Sequence, residues 1–304
     1  MKLLRELQDI YAPAGEEDLL KEFLLNYIQK NKKDWKHKVD VFHGKAFQNC
    51  IVLVFGEPET AIFAHMDSIG FTVKYDNEVV KLGGPVRKSG TKLIGYDSKG
   101  RIETELVVDE ETQKLSVKYP RTIDRGTNLV FKSNWKETKN YVQNCYMDNR
   151  LGIWNALKVA ETLKNGAIVF SCWEETGGGS IGYLAKFLYE GYGVQQALIS
   201  DITWVTEGVK AGKGVAISQR DSGIPRRSYI KKIMKIADKS GIPYQLEVEN
   251  AGGSDGNQLQ KSDFPFDWCF IGAAEQNVHS PKEKVHKYDI ETMVDLYKVL
   301  MKKL

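Results

Sequence analysis

The chain has 304 residues, 42% of them hydrophobic and 27% charged, and its formal net charge is +3. This composition is typical of a folded globular protein and excludes a disordered chain. Basic and acidic residues are interspersed, so we expect no nucleic-acid partner. No apolar run is long enough to cross a bilayer, and the first seven residues lack the pattern of a secretory signal, so we expect no membrane association.

Cysteine usage predicts the compartment. The four cysteines are widely spaced, form no C-x-x-C pair and each lie in an apolar context: Cys50, Cys145, Cys172 and Cys269. This pattern favours buried free thiols over disulfides or a thiolate zinc site. We therefore expect a cytoplasmic protein.

Helices and strands are both predicted in the first quarter of the chain. Apolar periodicity predicts helices over residues 3–10 and 16–25, the second with acidic residues in its first turn, where the helix dipole favours them. Strands are predicted over residues 39–42, 49–55 and 60–64, followed by an alternating strand at 71–75. The third of these strands leads directly into His65 and Asp67, whose side chains point to the same side because strand side chains repeat every second residue.

The pattern changes between residues 77 and 139. Short β-like segments alternate there with turns such as Asp97-Ser98-Lys99-Gly100, and no helical period is visible. This pattern predicts a small all-β, barrel-like domain over residues 77–139, inserted into a larger discontinuous domain formed by residues 1–76 and 140–304.

Strands and helices alternate beyond residue 141. Helices are predicted over residues 150–164, 181–189 and 225–239, and strands over 167–172, 197–201 and 268–272. A final helix is predicted from Asp289 as its N-cap, and Trp154 and Trp204 are expected in the core. The alternation predicts an α/β fold, in which helices sandwich a mostly parallel or mixed sheet.

Histidines and carboxylates recur at or shortly after the ends of the predicted strands. His65 with Asp67, Asp148, the pair Glu174-Glu175, Asp201 and His279 all occupy such positions. In open α/β sheets, ligands bind at the carboxyl ends of the strands.

Each of these residues also has an ordinary structural interpretation. His65 alone would be a hydrogen-bonded structural histidine, and Asp148 alone a helix N-cap. The two glutamates would be a solvated helix start and Asp201 a turn residue. It is their joint occurrence at one predicted sheet edge that indicates a site.

Two-metal hydrolysis requires this set of residue types. Two divalent cations about 3.5–4 Å apart need a bridging carboxylate and further imidazole or carboxylate ligands. A separate carboxylate must accept a proton from the attacking water. Two histidines, two aspartates and two glutamates meet that need without a thiolate.

Seven segments carry a family resemblance, and they follow one another in the family's order over most of the chain. They are Tyr11-Ala12-Pro13-Ala14-Gly15-Glu16-Glu17, Ala64-His65-Met66-Asp67-Ser68-Ile69-Gly70-Phe71, Met147-Asp148-Asn149-Arg150-Leu151-Gly152, Trp173-Glu174-Glu175-Thr176-Gly177, Ser200-Asp201, Gly252-Gly253-Ser254-Asp255-Gly256 and Val278-His279-Ser280-Pro281. With them the sequence resembles the glutamyl and deblocking aminopeptidases. These two-metal exopeptidases include the tetrahedral aminopeptidases and some proteins called endoglucanases.

The resemblance implies a role for each site residue. His65 and Asp201 would hold one divalent metal ion, Glu175 and His279 the other, and Asp148 would bridge them. Glu174 would be the general base, and Asp67 would orient His65. The family also carries its small domain between the first histidine and the bridging aspartate, where the β module is predicted here.

The resemblance further implies an enzyme, a metal-dependent aminopeptidase that removes N-terminal residues from short peptides through a metal-bridging water. Zinc is the first expectation for the two ions, with cobalt or manganese accepted by the same ligands. A homo-oligomer is implied as well. Two positions depart from the family pattern: Ser68 replaces a usual acidic residue and Asn149 a common second aspartate, although neither is a direct ligand.

Several alternatives stay open at this point. A related two-metal amidohydrolase, such as a carboxypeptidase or deacylase, would use the same ligands, and a non-catalytic scaffold could keep structural zinc on this fold. The segment Gly252-Gly253-Ser254-Asp255 either lines the substrate pocket or caps a helix. The loops that determine side-chain preference are not readable from the sequence.

Overall fold

The computed structural model describes residues 1–304. Its seven α-helices are α1 (Lys2–Gln8), α2 (Asp18–Asn31), α3 (Met147–Ala160), α4 (Ile181–Tyr192), α5 (Arg227–Ser240), α6 (Asp255–Lys261) and α7 (Lys287–Lys303). Two 3-10 turns lie at Lys45–Phe47 and Glu174–Thr176. No helix combines the length and apolar composition that crossing a bilayer would require.

Seventeen strands form two sheets. They are β1 (Asp40–Gly44), β2 (Gln48–Phe55), β3 (Thr60–His65), β4 (Gly70–Val73), β5 (Val79–Leu82), β6 (Lys92–Asp97), β7 (Gly100–Val108), β8 (Leu115–Val117), β9 (Asn128–Phe131), β10 (Lys136–Glu137), β11 (Tyr141–Asn144), β12 (Gly166–Ser171), β13 (Gln196–Trp204), β14 (Val215–Ser218), β15 (Tyr244–Glu247), β16 (Asp267–Gln276) and β17 (Glu283–His286).

The large sheet has eleven strands and mixed direction. Its main path runs β1-β2-β12-β3-β13-β16-β17-β11-β10, and β14 joins β16 to β15. The central strands β12, β3, β13 and β16 are mutually parallel, whereas β2 and β17 run antiparallel to their neighbours. The predicted α/β fold with a mixed sheet is therefore confirmed.

Helices cover both faces of the central strands. Every residue of β3 and of β12 is buried, and because successive side chains point to opposite faces, both faces must be covered. α3 and α7 pack on each other and on the sheet, and α5 packs on α7; α6 packs on the sheet and on α4. The apolar runs at 60–65 and 166–171 are continuous rather than alternating for this reason.

The four parallel strands place their carboxyl ends at one edge. In the parallel register His65 lies opposite Ser171, and Asp201 lies opposite Gly272. The segments that leave this edge carry the predicted site residues. The sheet, rather than any single motif, brings distant parts of the sequence together there.

The small sheet is antiparallel throughout. Its order is β5-β4-β9-β6-β7-β8, and it encloses a separate hydrophobic core of 16 buried residues. The sheet begins at Gly70 and ends at Phe131, whereas β10 belongs to the large sheet. Tyr11, Cys145 and Tyr146 of the large domain contribute to the same core. The division at residues 77 and 139 stays a prediction.

Two further expectations drawn from the sequence are wrong, whereas those for Trp154, which is buried in the core, and for the cysteines are confirmed. α7 begins at Lys287 rather than after Asp289, because His286 is its N-cap and accepts a hydrogen bond from the Tyr288 backbone N–H. Trp204 is 37% exposed rather than in the core, since it lies at the end of β13 and lines a cavity. All four cysteines are buried and free, as predicted.

Candidate active site

His65, Asp148 and Asp201 form a first group, called the inner group below. The His65 Nε2 atom lies 3.0 Å from Asp148 Oδ1 and 3.5 Å from Asp201 Oδ2. The side chains of His65 and Asp201 are only 1% and 8% exposed. His65 ends β3 and Asp201 lies on the neighbouring β13, so two paired strands fix their separation.

Asp148, Glu175 and His279 form a second group, called the outer group. The His279 Nε2 atom lies 3.2 Å from Asp148 Oδ2 and 3.3 Å from Glu175 Oε2. Asp148 therefore stands between the two imidazoles, with one carboxylate oxygen toward each. Either group brings three potential ligand atoms within 4.8 Å of one another.

Glu174 lies beside both groups without belonging to either. Its Oε2 atom is 3.8 Å from His65 Nε2, and its side chain is 17% exposed to the cavity next to the cluster. Glu174 and Glu175 are adjacent on the 3-10 turn after β12, and this tight turn directs both carboxylates toward the same centre.

Asp67 holds that turn in place. Its Oδ1 and Oδ2 atoms accept hydrogen bonds of 3.1 Å from the backbone N–H groups of Glu174 and Glu175. The same Oδ1 atom lies 3.4 Å from His65 Nδ1. The sequence predicted only the contact with His65, so the support of the glutamate turn is an additional finding.

Burial and repulsion between neighbouring carboxylates shift the pKa values of the acidic residues in the site. Burial raises the pKa values of Glu175 and Asp201 well above their usual range, and the neighbouring Asp148 adds to both shifts. Burial also raises the pKa of Glu174 to about 8. Burial opposes the charged form of Asp148 as well, but hydrogen bonds with His279 and His65 outweigh it and lower that pKa. The centre thus holds more buried acid than its two imidazoles can neutralise.

The donor set fits divalent cations. The Oε1 atom of Glu175 is buried and has no hydrogen-bond partner, although buried carboxylate oxygens are almost always paired. Imidazole nitrogens and carboxylate oxygens are the ligands that zinc, cobalt and manganese accept. Cations between the two groups would pair the free oxygen and offset the clustered negative charge.

The small sheet contributes to the outer group. The loop after β5 brings the Gly84 carbonyl to 3.2 Å from His279 Nδ1, and the Val86 N–H donates to the His279 carbonyl. A Cβ atom on Gly84 would lie 2.9 Å from His279 Nδ1, so this approach requires glycine. The position of His279 consequently depends on both sheets.

Glu283 is a site residue that sequence reasoning missed. Its Oε2 atom accepts hydrogen bonds from the backbone N–H groups of Met147 and Asp148, at 2.7 and 3.4 Å, and so supports the start of α3. In the sequence it stands between Lys282 and Lys284, and nothing there predicts its burial. In β17 Glu283 and Val285 are buried and Lys284 is not, an alternation that only the structure shows.

The segment Gly252-Gly253-Ser254-Asp255 caps a helix and also lines the cavity beside the cluster. Ser254 caps α6 with a full capping box, and Gly252, Gly253 and Ser254 line the cavity. Asp255 is buried and accepts a hydrogen bond from the Ser171 hydroxyl. Burial raises its pKa to about 6, and Asp255 in turn adds negative charge beside Glu174.

The two departures from the family pattern point away from the ligands. Ser68 donates to the Ala12 carbonyl at 2.8 Å and accepts from the buried Arg150 guanidinium at 3.2 Å. Asn149 donates to the Ser200 carbonyl and accepts from the Gly152 N–H, both at 2.9 Å. Neither side chain competes for a cation.

Comparison with known proteins yields one family and many structures of the same fold. A sequence profile of the M42 glutamyl aminopeptidase family matches residues 96–296. An aminopeptidase from the archaeon Desulfurococcus kamchatkensis is 21% identical with a TM-score of 0.85, over 100% of this chain and 94% of that chain. The TET1 peptidase of Pyrococcus horikoshii is 22% identical with a TM-score of 0.82, over 99% and 98%. An endoglucanase of Thermotoga maritima is 17% identical with a TM-score of 0.74, over 98% and 96%.

Proposed function

Because this chain belongs to the M42 glutamyl aminopeptidase family and is a metal-dependent aminopeptidase, we propose that its catalytic centre is formed by the inner and outer groups. The observation that carries this proposal is the position of Asp148, whose two oxygens face His65 Nε2 and His279 Nε2 at 3.0 and 3.2 Å. A carboxylate between two imidazoles has the geometry of a bridging ligand.

We assign the remaining ligands by proximity. His65 and Asp201 would hold one divalent cation, and Glu175 and His279 the other. Zinc is our first choice, with cobalt or manganese possible for the same donors. When bound, two such cations lower the pKa of a water molecule and polarise the scissile carbonyl.

Glu174 is our candidate for the general base and acid. It is close to both groups yet is not needed as a ligand, and the cavity gives a substrate access to it. Its carboxylate would take the proton of the attacking water and pass it to the leaving amine. Asp67 would keep Glu174 and Glu175 in place through the two backbone hydrogen bonds.

The substrates we propose are short peptides with a free N-terminus. The cavity beside the cluster has a volume of about 370 Å³, which suits one side chain and the adjoining backbone rather than a folded protein. The rival hydrolases differ in their need for the amine: a carboxypeptidase or deacylase accepts N-blocked compounds, whereas an aminopeptidase does not.

A paired assay tests the function. The protein, loaded with zinc or cobalt, is given aminoacyl anilides with a free amine and the same anilides carrying an N-acetyl group. We expect hydrolysis of the free-amine series alone and two cations per chain by elemental analysis. Cleavage of the blocked series would favour the amidohydrolase, and fewer than two cations with no cleavage of either series would favour the scaffold.

We also make proposals about the oligomeric state of the protein, its domain organisation and the compartment in which it acts. The Pyrococcus horikoshii TET1 peptidase can assemble into a tetrahedron or a large octahedral shell, and we propose that this chain also forms a homo-oligomer. We further propose that the small sheet forms the inserted domain that the sequence predicts at about residues 77–139. The four buried free thiols support a reducing compartment, the cytoplasm.

A further inference from the structure

The cavity beside the catalytic cluster has an acidic wall that the proposed chemistry does not use. Its lining continues from Glu174, Glu175 and His279 to three more carboxylates, Asp221, Glu247 and Glu249, which we call the acidic wall. They come from the segment after β14, from the end of β15 and from the loop that follows it. None of the three belongs to the inner or the outer group.

Asp221 is fixed in place but keeps one oxygen free. It is 8% exposed, and its Oδ1 atom accepts hydrogen bonds from the Gly223 N–H at 2.5 Å and from the Asn257 amide at 3.4 Å. The Oδ2 atom takes no hydrogen bond from the protein. Burial raises the pKa of this carboxyl. The carboxyl lines the cavity, and a cationic group placed there would favour its charged form.

Glu247 and Glu249 are the other two carboxyl groups of the acidic wall. Glu247 is 4% exposed, and its Oε1 atom accepts a hydrogen bond from the Thr203 hydroxyl. Glu249 is partly buried and forms no ion pair. Glu249 lies two residues beyond the end of β15, where its backbone N–H donates to the Arg220 carbonyl at 3.0 Å, and both carboxylates line the cavity.

Little positive charge opposes the wall. Lys261, at the end of α6, is the one lysine or arginine among the lining residues, and it is solvent-exposed and forms no salt bridge. Arg220 lies next to Asp221 in the chain, but it is not part of the lining, and its Nε atom donates to the Asp221 backbone carbonyl at 3.3 Å. Burial raises the pKa of both Asp221 and Glu247, and the nearby Arg220 charge partly offsets that shift for Asp221. The lining therefore presents three carboxyl groups to the cavity against one exposed lysine.

Two aromatic rings complete the lining. Trp204, which is 37% exposed, and Phe270 face the same cavity as the carboxylates. Aromatic faces attract ammonium and guanidinium groups and accept their alkyl stems. An anionic side chain would meet like charge in this cavity, and a short aliphatic one would leave the carboxylates unpaired.

We propose that this cavity receives the side chain of the substrate's N-terminal residue and that the enzyme prefers lysine or arginine there. The inference rests on the proposed function, because it takes the inner and outer groups as the place where the peptide bond is cleaved. It runs against the glutamyl preference in the family's description, since a glutamyl side chain would be repelled by Asp221, Glu247 and Glu249.

A panel of free-amine anilides measures the preference. The zinc- or cobalt-loaded protein is assayed with lysyl, arginyl, leucyl, alanyl and glutamyl anilides at low salt. We expect kcat/KM for the lysyl and arginyl substrates to exceed that for the leucyl substrate by about tenfold, and glutamyl to be the poorest. The advantage of the basic substrates should shrink as sodium chloride is raised. Leucyl or glutamyl hydrolysis faster than lysyl would overturn the proposal.

Replacing carboxylates of the acidic wall with amides of the same shape tests whether the wall causes the preference for basic side chains. Asp221→Asn combined with Glu249→Gln should lower kcat/KM for the lysyl anilide about tenfold and change the leucyl value less than about twofold. Glu190→Gln, an exposed change on α4, is the matched control and should alter neither. Equal losses for both substrates would instead mean that the wall binds the α-amine common to them, and the side-chain proposal would be wrong.

The two proposals fail differently. If no free-amine anilide is cleaved, the catalytic assignment itself is wrong. If the leucyl and alanyl anilides are cleaved without any advantage for lysyl or arginyl, only the side-chain preference is wrong.

Discussion

The inner and outer groups share Asp148 but are held in different ways. His65 and Asp201 lie on adjacent parallel strands and are almost fully buried. Glu175 and His279 lie on turns, and His279 is 31% exposed and rests against Gly84 from the small sheet. The large sheet therefore fixes His65 and Asp201, whereas Glu175 and His279 depend on loops and on the inserted strands.

The two groups should therefore differ in how firmly the protein holds their side chains. Paired strands hold His65 and Asp201 through many backbone hydrogen bonds, so the inner group should persist without metal. The outer group relies on a few contacts, chiefly those of Asp67 with the glutamate turn and of Gly84 with His279. We expect the outer group to be the more easily perturbed half.

The largest effect is expected from a change at Glu174, which lies beside both the inner and the outer group but is assigned as a ligand in neither. Glu174→Gln keeps the shape of the side chain but removes its capacity to accept a proton, so kcat should fall about 10²–10⁴-fold. Metal content should stay at the wild-type level in elemental analysis. A variant with wild-type turnover, or one that has lost its metal, would contradict the assigned role.

A smaller but more informative effect is expected from removing each histidine in turn. In the chelated protein, His65→Ala leaves buried carboxylates without their imidazole and should lower the free energy of unfolding by about 3 kcal/mol. His279→Ala also leaves Asp148 and Glu175 without an imidazole, but water can enter beside them because His279 is 31% exposed, so it should cost only about 1 kcal/mol. Urea denaturation measures both values.

His43, which is exposed and outside the site, provides the control for the histidine pair. His43→Ala should leave stability and metal content unchanged. Equal destabilisation by His65→Ala and His279→Ala would show that the two halves are held alike and would refute the comparison.

The smallest effect is expected at Gly84. In Gly84→Ala the new Cβ atom would lie 2.9 Å from His279 Nδ1, so the imidazole must shift by a few tenths of an ångström. We expect kcat/KM to fall about tenfold or less through misplacement of the outer group. Gly182→Ala is the matched control, because a Cβ atom there meets nothing within 4 Å. An unchanged kcat/KM for Gly84→Ala would show that the inserted strands do not position His279.

The sequence by itself determined the elements and the chemical types of the site. Continuous apolar runs such as the one before His65 identify buried strands, since both faces of a covered sheet exclude water. The recurrence of His65, Asp148 and His279 at predicted strand ends indicated a common edge. Local patterns were sufficient for these predictions. Apolar runs show which strands are covered on both faces, and the alternation of strands with helices predicts a parallel sheet whose carboxyl ends share one edge.

Only the tertiary structure decided how these residues are supported and what surrounds them. Glu283 has lysine neighbours in the sequence, yet it is buried under the Met147 and Asp148 amides. Trp204 looked like a core residue, but it lines the cavity together with Asp221 and Glu249. These contacts join segments far apart in the chain. Their formation depends on how loops and sheets pack, which neither residue type nor local periodicity specifies.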